Sequence, residues 1–204
     1  TTAGSLIEQC EAEAVDDGLE WYVRLTLARV DFAEAEGRFQ DAQAEAQDAL
    51  DVLQGITVDA VILVPTLQLE LALARSLLES GRVDVARKNA DALVRKAQRH
   101  GLPGITTLAR LLKARAALMS GQPVIADGLI ENVAAHWSPT PPSLPGLILW
   151  LTTAEKLFTE DPLSEQRGAE QDIADEIPPK LKPFLNHRAL YRRYAILNAR
   201  LAIT

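Results

Sequence analysis

The chain has 204 residues, is 48% hydrophobic but only 5% aromatic, and carries a formal net charge of −7. Ala and Leu supply the apolar content, which suits close helix–helix packing better than strands built on β-branched and aromatic residues. The acidic total argues against nucleic-acid binding, the single cysteine, Cys10, excludes an internal disulfide, and no run reaches the roughly 18–20 apolar residues of a membrane span.

The opening TTAGSLIEQC lacks the basic segment and apolar stretch of a signal peptide, so a cytoplasmic protein is expected. In this opening, Ser5-Leu6-Ile7-Glu8 fits a capping box. A first helix is expected from there to about Asp17, stopped by Gly18. A second spans about Leu19 to Glu36 and ends at Gly37. A third runs from about Phe39 to Leu53, with Phe39, Ala42, Ala46, Ala49, Leu50 and Leu53 on one face. A long helix then leads to Ser80. Asp59 suits its start, and Pro65 either kinks it or marks its true first turn.

After Gly81 a helix reaches about Arg99, striped by Val83, Ala86, Ala90, Leu93, Val94 and Ala97. Asp84 with Lys88, and Asp91 with Arg95, are i,i+4 pairs on its outer face. Gly101 ends it. Pro103 opens a helix to Ser120, and Pro123 opens another to about Ala135. SPTPPSLPG (138–146) has four prolines in nine residues and reads as a loop. Beyond it, 147–158 and 163–176 read as helices, PPKLKPF (178–184) as a break, and Asn186 as the cap of a final helix through Ala202. No segment has the alternation of a strand.

A repeat emerges when the glycines are aligned. Ala74 and Ala114 lie seven residues before Gly81 and Gly121, and Val30 takes that place before Gly37. Ala42, Ala86 and Ala126 lie five after Gly37, Gly81 and Gly121. A glycine adopts the left-handed conformation that ends a helix at low steric cost. The chain then reverses, and small residues on both sides of the turn let the two backbones approach. Such pairs bury their apolar faces only by stacking.

The spacing resembles the tetratricopeptide repeat: its small residue in the first helix is similar to Ala74 and Ala114, its turn glycine to Gly37, Gly81 and Gly121, and its small residue in the second helix to Ala42, Ala86 and Ala126. A further position is held by Ala49, Leu93 and Val133. The period of 40–44 exceeds the usual 34, and the starting aromatic and closing proline are missing. In these respects the chain resembles the long repeats in the C-terminal arms of large bacterial ATP-dependent regulators of the LuxR and maltose-activator type. The resemblance covers residues 19–136. It implies an all-α, right-handed superhelix of nine or ten antiparallel helices. One helical-repeat domain over 1–204 is expected: a leading helix at 1–18, three long pairs at 19–136, a proline-rich loop at 137–146, and a degenerate repeat with C-terminal helices at 147–204. The chain begins without Met and ends within a helical run, so it is expected to be a piece of a longer protein.

Little signals chemistry. No phosphate-binding glycine loop, GxSxG elbow or HExxH is present. His100, His136 and His187 lie far apart at helix ends or breaks, and Cys10 reads as a core or half-buried thiol. No catalytic residue, cofactor or metal is expected. Trp21, Trp137 and Trp150 sit at helix ends or near the proline loop and read as packing residues. In a tetratricopeptide-like stack the first helices line the concave face, which implies Gln68, Leu71, Arg75 and Leu78, then Leu108, Leu111, Arg115 and Met119, as its lining. Arg75 and Arg115 sit at one offset, six before their glycines, as a basic ladder for an acidic peptide or carboxylate. The alternative is that they pair with neighbouring glutamates.

Residues 1–60 hold 14 acids against 3 bases, a local charge of −11, while the remainder holds 14 against 18, or +4. The last 25 residues carry six bases and no acid. Solvated polarity along an elongated molecule accounts for this; docking of the basic end on an acidic surface is the sharper alternative. The expected function is a non-catalytic protein-interaction or sensor module of a larger bacterial regulator, with a protein, a peptide, a neighbouring domain or a second copy of the chain as partner. Neither membrane nor nucleic-acid contact is expected of this region. The alternative is a small-ligand effector domain.

Overall fold

The computed structural model describes residues 18–54 and 60–136, together with Ser5, Ile56, Ile148 and Thr152. The expected capping box and first helix, the Asp59 cap, the proline loop and the segments after it lie outside the described residues, apart from these isolated positions. Six α-helices make up the described chain: α1 Gly18–Ala35, α2 Phe39–Gln54, α3 Ala60–Glu79, α4 Val83–Arg99, α5 Pro103–Met119 and α6 Pro123–His136. The described residues contain no strand, so the all-α expectation holds for them.

Four of the five connections are three residues long and share one hydrogen-bond pattern. At the α3–α4 turn Gly81 has φ +81°. Its N–H donates to the Leu78 carbonyl at 3.0 Å and the Arg82 N–H to the Leu77 carbonyl at 2.9 Å. This pair of bonds satisfies carbonyls that a helix end leaves open. The Arg82 carbonyl in turn accepts the Ala86 N–H at 3.0 Å and so starts α4. The turns at Gly37, Gly101 and Gly121 repeat both closing bonds and the opening bond. The sequence picks out Gly37, Gly81 and Gly121 as one series and treats Gly101 only as a helix stop; the structure places all four in one motif.

The small residues that flank these turns are buried. Ala42, Ala74, Ala86, Ala114 and Ala126 are each 0% exposed, as is Val30 in the place of an alanine. α1 packs against α2 and also against α3, α2 packs against α3, and α3 against α4. Alternate helices α1 and α3 therefore touch directly, as stacking requires. Gln43 on α2 ties to the end of α3 by donating to the Ser76 carbonyl (3.2 Å) and Ser80 Oγ (2.9 Å). A separate cluster joins α5 to α6 through Ala114, Ala117, Leu118, Ala126 and Ile130, with Leu129 against it.

Pro65 lies inside α3, beyond its first turn. It removes the bond to the carbonyl four residues earlier, a loss that an interior proline imposes on any helix. On α4, Asp84 pairs with Arg87 at i,i+3 (3.4 Å) and not with Lys88; an exposed pair of this kind adds little stability. The described residues fall into two compact units divided between Thr106 and Thr107. The first holds α1–α4 and the opening turn of α5, and the second holds the rest of α5 and α6.

Candidate functional site

The row expected to line a binding face on α3 divides. Gln68 is exposed, and Leu71 and Arg75 are half-buried. With Glu79 they form a surface stripe at i, i+3, i+7 and i+11. Leu78 is 0% exposed and belongs to the core. It lies within about 20° of Leu71 around the helix axis, so its burial comes from the packing over the C-terminal end of α3 and not from a different face, and its assignment to a ligand wall is corrected.

Arg75 is held by α1. Its Nε donates to Glu34 Oε2 at 2.6 Å and its Nη2 to Asp31 Oδ1 at 2.7 Å. Glu34 has a side chain only 1% exposed, and its other oxygen accepts a hydrogen bond from Ser76 Oγ. Burial works against the Arg75 charge, but attraction from Glu34 and then Asp31, with their hydrogen bonds, outweighs it and raises the guanidinium pKa above its ordinary value. This arginine is a tie between α1 and α3. The pairing alternative describes it, and its role as a ligand-facing rung is not what the geometry favours.

On α5, Leu108 and Arg115 are half-buried and Met119 is 48% exposed, but Leu111 is 0% exposed. Leu111 is therefore also a core residue, a second correction to the expected lining. Arg110 Nη1 donates to Asn132 Oδ1 at 2.8 Å and links α5 to α6.

A cleft of about 490 Å³ that the sequence reading passes over lies in the first unit, between the C-terminal half of α2, the middle of α3 and the middle of α4. Its apolar surface comes from Leu50, Leu53 and Leu73, and its polar rim from Gln47, Gln54 and Asn89. One wall carries an ion pair between Glu70 of α3 and Lys96 of α4. The residues come from three helices and, at Ile56, from the residues that follow α2, at positions as far apart as 47 and 96, so no local motif marks them. The one available signal is that Gln47, Leu50 and Gln54 share a face of α2 at i, i+3 and i+7.

Among the described residues no group of three or more His, Cys, Asp or Glu side chains is placed to hold a metal ion. His100 is exposed just past the last residue of α4, where a basic side chain complements the helix dipole. His136 ends α6; Cys10, His187, Trp137 and Trp150 lie outside the described residues. Trp21 is half-buried on α1, and its Nε1 has no hydrogen-bond partner among the described residues. No helix among the described residues is long and apolar enough to cross a membrane.

No protein-family model matches the chain. No curated protein matches it either. Among solved structures it is similar to the crystal structure of BtubC (BKLC) from P. vanneervenii, at 13% sequence identity and a TM-score of 0.60, over 97% of this chain and 86% of that one. The likeness is one of fold. At this identity it carries an all-helical architecture and nothing about partners or chemistry.

Proposed function

We propose that this chain is a non-catalytic interaction or sensor module of the tetratricopeptide kind, a right-handed stack of helix pairs within a larger bacterial regulatory protein. The observation that carries the reading is the three-residue reversal, repeated four times in one hydrogen-bond register, with α1 packed directly on α3. Arrays built this way offer successive helix rows as recognition surfaces. In this reading the contact residues are those with exposed area: Gln68 and Leu71 on α3, and Leu108, Arg115 and Met119 on α5. Arg75 serves by fixing α3 against α1.

The test is selection of peptides on the full chain from a random display library, followed by titration of the best binders. Leu71→Asp or Met119→Asp should weaken binding about tenfold or more while leaving the thermal midpoint in place. Selected peptides that bind both variants as well as the parent would remove these rows from the proposal. A second reading, a small-ligand effector domain, draws on the cleft beside α3, whose volume of about 490 Å³ falls in the range of small-molecule sites.

A further inference from the structure

The cleft between α2, α3 and α4 restricts the chemistry of what it can hold. Resting on the small-ligand reading, we infer that it binds a short zwitterionic peptide, of dipeptide size, with an apolar side chain. The first restriction is charge. Among the described residues the lining contains one acid, Glu70, and one base, Lys96, already paired, with side chains 23% and 41% exposed. A purely anionic ligand would claim Lys96 and strand Glu70; a purely cationic one would do the reverse. A charge left partly buried without a partner is costly. A ligand with one ammonium and one carboxylate gives each wall charge a new partner and keeps the cleft neutral.

The flanking helices impose the same polarity. α2 carries Asp41, Glu45, Asp48 and Asp51 with no base, whereas α4 carries five bases against Asp84 and Asp91. An ammonium is drawn toward the α2 side and a carboxylate toward α4. The apolar surface supplies the second restriction. Leu53 and Leu73 are 3% and 8% exposed, and with Leu50 they form a floor for an aliphatic side chain. The third restriction is the amides. Gln47 and Gln54 both donate to Asp51 Oδ1, at 2.8 and 3.3 Å, and this common acceptor fixes them on one wall while Asn89 faces the cleft from α4. Side-chain amides offer both a donor and an acceptor, which is what a peptide bond needs. The volume of about 490 Å³ suits two residues.

Isothermal titration of the full chain with Leu-Leu, acetyl-Leu-Leu, Leu-Leu amide and free leucine tests the inference. Leu-Leu should bind about tenfold or more tightly than each of the other three, which lack the ammonium, the carboxylate and the peptide bond respectively. Lys96→Gln should weaken Leu-Leu by at least about tenfold and tighten Leu-Leu amide, which then strands no lysine; Glu70→Gln should weaken Leu-Leu likewise and tighten acetyl-Leu-Leu. Thermal unfolding of each variant separates lost binding from lost fold. Leu71→Asp, which alters the exposed row of α3, should bind Leu-Leu normally, so the cleft and the peptide-binding rows fail or stand separately. The inference is overturned if Leu-Leu shows no binding at about 1 mM, if the capped forms bind as well as Leu-Leu, or if Leu71→Asp abolishes binding while Lys96→Gln and Glu70→Gln retain it.

Discussion

Glu34 depends on Arg75 more than Arg75 depends on Glu34. The acid is 1% exposed, whereas the arginine keeps 32% of its side chain in solvent and has Asp31 as a second partner. Arg75→Ala should therefore cost about 2–3 kcal/mol in urea unfolding, below the usual figure for a fully buried pair because of that exposure. Arg75→Met combined with Glu34→Leu should recover most of the loss, since no charge is then left stranded. Salt near 1 M should leave the Arg75–Glu34 coupling largely intact and erase any contribution from the exposed Arg24–Glu20 and Arg38–Asp41 pairs. The offset from Gly81 was enough to single out Arg75 in the sequence. Its partners were not legible, because they lie 41 and 44 residues away on α1 and only the packing of α1 on α3 brings them near.

At the level of the helix, two glycines on adjacent elements predict opposite responses to the same substitution. Gly121 has φ +67° in a turn, so Gly121→Ala should destabilise by about 1–2 kcal/mol. Gly128 lies inside α6 with no positive φ, and an added Cβ would meet nothing within 4 Å. Gly128→Ala should stabilise by up to about 1 kcal/mol. Ala86→Leu, at a fully buried position, should cost about 1–3 kcal/mol through overpacking. Chemical denaturation of the three variants checks the order. Helix ends were legible to within about two residues, because the left-handed glycine is a local property. The facing of α3 and α5 was less so. α3 packs against α1, α2 and α4 together, so its apolar residues surround most of it, and periodicity could not separate Leu78 in the core from Leu71 beside it on the surface.

For the molecule as a whole, repeat architecture makes stability a sum of local terms and nearest-neighbour contacts. Native-state hydrogen exchange should therefore register Arg75→Ala first as faster exchange in α1–α3, and Gly121→Ala first in residues 107–136. The excess of acid in residues 1–60 was visible in composition and read as solvation along the chain. Folding gives part of it a definite place, since α2 and α4 both pack on α3 with charge of opposite sign. The cleft follows from that arrangement and from no single helix, which is why a reading along the chain passes over it.

The three-residue connections also limit how the chain can vary in length. Arg38, Arg82, Leu102 and Gln122 each donate the last bond of one helix and accept the first bond of the next, so none of these joints has a residue to spare. A single inserted residue would lose the closing or the opening bond, since one residue makes both. Descendants of this chain should accordingly gain and lose material as whole helices or helix pairs, or at 55–59, where the connection is longer. Insertion scanning with a folding reporter would show this as sharp intolerance at 36–38, 80–82, 100–102 and 120–122.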